Sequence, residues 1–104
     1  MNEFELRRDG EKLFVVLDRD LTASVVPGLK SDLRAELEKG VLEVEFDLTN
    51  TAILDSTGIG LLIATYNSIT KKNGGSVRVV RASDDIFRLL QSMRLETRLL
   101  VTKR

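Results

Sequence analysis

The chain has 104 residues, 42% of them apolar and 31% charged, with 16 basic and 16 acidic side chains that cancel. That suits one soluble globular domain with one core; no apolar run approaches a membrane span, and zero net charge gives no electrostatic pull toward nucleic acid. The absence of Cys and His excludes disulfides, thiol chemistry, Cys/His zinc sites and every His-dependent triad, which is the strongest compositional argument against an enzyme.

The charge is unevenly spread. Residues 1–70 carry 7 basic and 13 acidic groups, net −6, and residues 71–104 carry 9 and 3, net +6. Such blocks are ordinarily solvated faces of separate elements; the sharper reading is a dipolar surface that steers one partner. The start, Met1-Asn2-Glu3-Phe4-Glu5, is acidic and lacks the charged and apolar regions of a signal peptide, so the chain is expected to be cytoplasmic and complete.

Taken in chain order, Phe4–Arg8 and Lys12–Leu17 read as two strands with Asp9-Gly10 as a hairpin turn between them, hence antiparallel neighbours. The continuous apolar run of the second predicts burial on both faces. A loop follows over 18–24. A helix is then predicted with Ser24 as N-cap, Pro27 in its first turn, Val26, Leu29, Leu33 and Leu37 at helical spacing, and Gly40 as its stop. Val41–Leu48 alternates as a strand. Thr57 to Lys72 reads as the second major helix, closed by Asn73-Gly74-Gly75. Ser76–Val80 is a strand, Asp84–Met93 a short helix capped by Ser83, and Arg98–Thr102 a last strand. The order is β-β-α-β-α-β-α-β. It predicts a single-domain α/β fold over residues 1–104, with a mainly parallel sheet and an antiparallel N-terminal strand.

Functional loops of such sheets cluster at the carboxyl ends of strands. The segment Asp47-Leu48-Thr49-Asn50-Thr51-Ala52-Ile53-Leu54-Asp55-Ser56-Thr57-Gly58-Ile59-Gly60 is such a place. It runs from a strand through a polar turn into a helix, and Gly58 and Gly60 keep the first turn of that helix narrow. Asp55 or Ser56 can serve as a plain N-cap. The turn can also be read as an anion-binding loop, but it lacks the lysine of a P-loop and carries an unhelpful acid at 55. A serine nucleophile would lack a base. On a helical wheel Ile59, Leu62, Ile63, Tyr66 and Ile69 form a stripe for the sheet, which leaves Leu61 and Ala64 roughly opposite, facing outward beside Ser68.

These residues carry a specific resemblance. Val44 to Gly60, with Asp47-Leu48 and then Asp55-Ser56-Thr57-Gly58-Ile59-Gly60, resembles the signature of the STAS domain family, and more narrowly of the small bacterial anti-anti-sigma factors, or anti-sigma factor antagonists. Length, element order and the Gly74-Gly75 turn fit as well; Asp-Ser-Thr-Gly is the discriminating part. The resemblance implies a STAS-like fold and a non-enzymatic partner switch without cofactor or metal. Its partners would be an anti-sigma factor that is also a serine kinase, and a phosphatase, with no direct nucleic-acid or membrane contact. By the resemblance Ser56 would be the phosphorylated residue, with Thr57, Asp55 and Asp20 beside it in the partner surface; helix geometry adds Leu61 and Ala64, adjoined by Gly58 and Gly60, to that surface. The family commonly has Gly before the acid at 20, where this chain has Arg19. The alternative role within the family is a scaffold or nucleotide-sensing subunit of a transport or stress-signalling assembly.

Overall fold

The computed structural model describes residues 3–104; Met1 and Asn2 of the acidic N-terminus lie outside the described residues, as does the side chain of Asn73. The elements are β1 (Phe4–Asp9), β2 (Lys12–Leu17), α1 (Val26–Leu37), β3 (Glu43–Asp47), α2 (Ser56–Asn73), β4 (Ser76–Ala82), α3 (Asp84–Ser92) and β5 (Val101–Lys103). They form one five-stranded sheet in the order β1-β2-β3-β4-β5, antiparallel between β1 and β2 and parallel elsewhere. The fold class expected from the sequence is the one observed.

The strand order never reverses. Each right-handed crossover therefore moves the same way across the sheet and leaves its helix on the same side. Such a sheet also lacks the switch-point crevice in which open α/β sheets bind nucleotides. Burial follows this one-sided plan: Leu13, Val15, Leu17, Val44, Phe46, Val77 and Val79 face the core with the helices. The alternate residues, among them Phe14, Val16, Glu43, Glu45 and Asp47, are only half-buried. The second strand is thus not buried on both faces as its apolar run suggests. Phe14 lies on the open face beneath two cations, Arg7 at 5.0 Å and Lys12 at 4.7 Å from the ring centroid.

That open face also absorbs part of the charge asymmetry. Lys12 bridges Glu43 and Glu45 at 3.3 Å each, Arg78 approaches Glu43 at 4.0 Å, and Arg81 pairs with Asp47 at 3.1 Å. Acids of the first block therefore meet bases of the second across neighbouring strands. At this face the charges are not separate solvated faces: the two blocks pair with each other across β3 and β4, and these pairs need no partner to account for them.

Helix ends differ in detail from expectation. The cap position of α1 is Val25, and Ser24 does not cap it; instead the Thr22 carbonyl accepts from the Val25 and Val26 amides at 2.9 and 3.0 Å. Gly74 ends α2 in the left-handed region at φ 64°, as its type predicts. Ser83 caps α3 by accepting from the Ile86 amide at 3.2 Å. The last strand starts later than its apolar run suggests. Residues 97–100 form a turn, Leu99 donates back to Leu95, and Leu100 adopts φ 46°.

Candidate functional site

The loops after β2 and β3 lie side by side at the carboxyl ends of parallel strands and are joined by a short lattice of backbone bonds. Leu21 and Leu54 form a parallel bridge; the Leu21 amide donates to the Ile53 carbonyl at 3.1 Å, and the Asp55 amide to the Leu21 carbonyl at 3.4 Å. Two carboxylates complete the joint. Asp20 Oδ1 accepts from the Ala52 and Ile53 amides at 2.8 and 2.9 Å. Asp55 accepts from Gly58 at 2.9 Å through Oδ1 and from Ala23 at 3.0 Å through Oδ2. The buried Thr51 donates from Oγ1 to the Arg19 carbonyl at 3.0 Å. Each acid therefore works as a tie between loops.

The same bonds set the electrostatics. Backbone amides of Ile53 and Ala52 hold the Asp20 carboxyl below the usual carboxylate range, and the Gly58 amide does the same for Asp55. Both stay ionised near neutrality, and Asp55 has its oxygens committed to Gly58 and Ala23. Neither has the raised pKa of a general base. Among the described residues no group of three or more acidic, Cys or His side chains could hold a metal ion.

Gly58 is required by close packing within this chain. A Cβ there would sit 2.3 Å from the Leu21 carbonyl oxygen and 2.9 Å from Leu54 Cδ1, so α2 can approach the Leu21 loop only without a side chain. Gly60 has nothing within 4 Å of such a Cβ and is open to solvent. The two glycines thus do different things, although the sequence pairs them.

Asp55 is the N-cap of α2, and Ser56 is its first residue. Capping falls to Asp55, and the exposed Ser56 is left over at the helix N-terminus. Thr57, Gly60 and Ala52 are also exposed, and Ile53 is 57% exposed. Ile53 escaped the sequence reading. The signal was available: in Ala52-Ile53-Leu54-Asp55 the residue before the buried Leu54 must point the other way in an extended segment.

Leu61 corrects an expectation. It is only 5% exposed and belongs to the core, because α2 packs against α1 as well as the sheet. Its apolar arc is wider than one partner requires. Ala64 is exposed, but with Leu61 it lines a groove shared with α1, about 12 Å along the helix from Ser56 at 1.5 Å rise per residue. The structure therefore gathers Asp20, Asp55, Ser56, Thr57, Gly58 and Gly60 at one end, while Leu61, the next residue, turns into the core and Ala64 lies about two helical turns from Ser56. Arg19 is accommodated without a left-handed backbone: its guanidinium reaches Glu3 at 3.3 Å while its carbonyl takes the Thr51 hydroxyl.

This architecture has known counterparts. The STAS domain family matches residues 3–102. Anti-sigma-B factor antagonists of Listeria monocytogenes and Listeria innocua are each 26% identical over 84 residues, covering 81% of this chain and 73% of theirs. A candidate anti-sigma factor antagonist from Thermotoga maritima superposes with a TM-score of 0.88 at 19% identity, covering 97% of this chain and 86% of that one. The Bacillus cell fate determinant SpoIIAA in its phosphorylated form superposes with a TM-score of 0.80 at 16% identity, covering 97% and 90%. With nearly its whole length matched, the chain belongs to the STAS domain family, and it is similar in sequence to anti-sigma-B factor antagonists.

Proposed function

We propose that this protein is an anti-sigma factor antagonist switched at Ser56. The unmodified form binds an anti-sigma factor that is also a serine kinase, and so frees a sigma factor. Phosphorylation of Ser56 blocks that binding, and a phosphatase restores it. The role is regulatory and non-enzymatic, exercised in the cytoplasm.

The observation that carries this reading is the division of labour between neighbours. Asp55 caps α2 with both oxygens engaged, so the exposed Ser56 beside it is not needed for folding. A kinase can reach that hydroxyl, and the N-terminal dipole of the helix tolerates the added charge. The sequence relatives from Listeria are antagonists by name, and SpoIIAA is known in unphosphorylated and phosphorylated forms.

Phosphate adds about −1.5 to −2 charges at neutral pH. It would sit beside Asp55 and Asp20, both held ionised. Set against acidic groups of the anti-sigma factor, this added charge makes a like-charge clash across the interface that costs several kcal/mol; about 1.4 kcal/mol is tenfold in affinity, so a loss on the order of 100-fold needs no refolding. The exposed Ile53 supplies the apolar anchor of the same surface. Incubation with the cognate kinase and ATP, followed by mapping of the modified site by mass spectrometry, tests the reading. Phosphate on Ser56 is expected; modification only elsewhere, or none, would refute it.

A further inference from the structure

A second feature lies away from the Ser56 end. Between α1 and α2 runs a groove of about 210 Å³. Leu33, Leu37, Leu61 and Ile69 give it an apolar floor. It stays open because α2 presents small residues there, Ala64, Thr65 and Ser68. The Thr65 hydroxyl is turned back on its own helix, donating to the Leu61 carbonyl at 2.8 Å.

The rim is basic. Lys30, Arg34 and Lys72 line the groove against one acid, Glu38. Among the described residues none of these four is in an ion pair, whereas Lys12, Arg78 and Arg81 on the open face of the sheet all are. A trough with a mixed lining, apolar at Leu37 and Ala64 above a buried floor and with surplus positive charge at its edge, matches a short apolar tail that ends in an anion. At about 210 Å³ the groove exceeds the roughly 150 Å³ of an enclosed apolar cavity that holds one benzene, so it has room for a tail of medium rather than long length.

We propose that the α1–α2 groove binds a medium-chain carboxylate, with its alkyl chain along Leu37 and Ala64 above the buried floor and its carboxylate among Lys30, Arg34 and Lys72. The site is independent of the Ser56 switch and stands or falls separately from it.

Amide chemical-shift titration of the full chain with octanoate, octanol and butyrate tests the assignment. Octanoate is expected to give saturable shifts confined to residues 30–38 and 61–72. Octanol should bind more weakly at the same amides, and butyrate least. Replacing Lys30, Arg34 and Lys72 together by Gln should weaken octanoate on the order of tenfold and leave octanol unchanged, which also shows that the variant is folded. Ala64→Phe should fill the groove and weaken both; Ser68→Leu, also at an exposed lining position, serves the same purpose should Ala64→Phe not fold. Non-saturating shifts, shifts elsewhere, or unchanged octanoate binding by the triple variant would overturn the proposal. So would protection of these amides by an acidic amphipathic peptide but not by octanoate, which would make the groove a protein-docking surface.

Discussion

A single methyl group at Gly58 should open the joint that presents Ser56. The added Cβ would lie 2.3 Å from the Leu21 carbonyl oxygen, where ordinary contact begins near 3.4 Å, so backbone must retreat by about 1 Å. That oxygen accepts from the Asp55 amide, and Leu21 is fully buried, so retreat disturbs both the loop joint and the core. Overpacking of this kind costs about 1–3 kcal/mol, and contact with backbone puts it at the upper end. The better helix propensity of Ala offsets about 1 kcal/mol. Gly58→Ala should therefore lose about 2 kcal/mol, or about 8–16 °C in Tm for a domain of this size. Gly60→Ala is the control. It gains the same propensity with nothing within 4 Å, so its Tm should rise by about 4–8 °C. Thermal unfolding followed by circular dichroism reads both. Shifts of the same sign would refute the claim that Gly58 is held by close approach and Gly60 is not.

Other consequences are equally open to measurement. Leu61→Lys should destabilise by about 3 kcal/mol or more in urea unfolding, because it removes a buried apolar side chain and strands a charge; an unchanged midpoint would return Leu61 to the surface. Ile53→Ser should keep stability within about 0.5 kcal/mol yet weaken anti-sigma factor binding on the order of tenfold, as read by calorimetry. The carboxyls of Asp20 and Asp55 lie below their ordinary range when folded, so the unfolded chain takes up their protons first. Their contribution is present above about pH 4 and is lost as pH falls through the folded values. Denaturant midpoints should consequently fall less steeply below pH 4 in the Asp20→Asn, Asp55→Asn double variant than in the wild type.

Element order and the position of the serine turn were legible because they rest on local signals. Asp9-Gly10, Gly74 and Ser83 act within a few residues of their own helix or strand, and each does what its type predicts. The misreadings came where a distant partner decides. Leu61 is buried because α1 lies beside α2, which one helical wheel cannot show. Phe14 and Val16 are apolar on an open face because the unreversed strand order leaves that side of the sheet without helices, and cations cover Phe14 there. Ser24 lost the cap to the Thr22 carbonyl, a backbone group that composition cannot reveal. The Leu99-Leu100-Val101 run has the pattern of a strand, but tight backbone bonding back to Leu95 and Glu96 turns its first half. At the site itself the motif located Asp55 and Ser56 but not their separate tasks, which depend on where the Asp55 oxygens go.

Charge added at Ser56 should weaken binding while the domain remains folded. Calorimetric titration of wild type, Ser56→Ala and Ser56→Asp against the cognate anti-sigma factor, with the Tm of each form in parallel, separates the two effects. Ser56→Ala should bind like wild type and Ser56→Asp on the order of 100-fold more weakly, with nearly the same Tm for all three. Equal affinity of wild type and Ser56→Asp would rule out an electrostatic switch at Ser56.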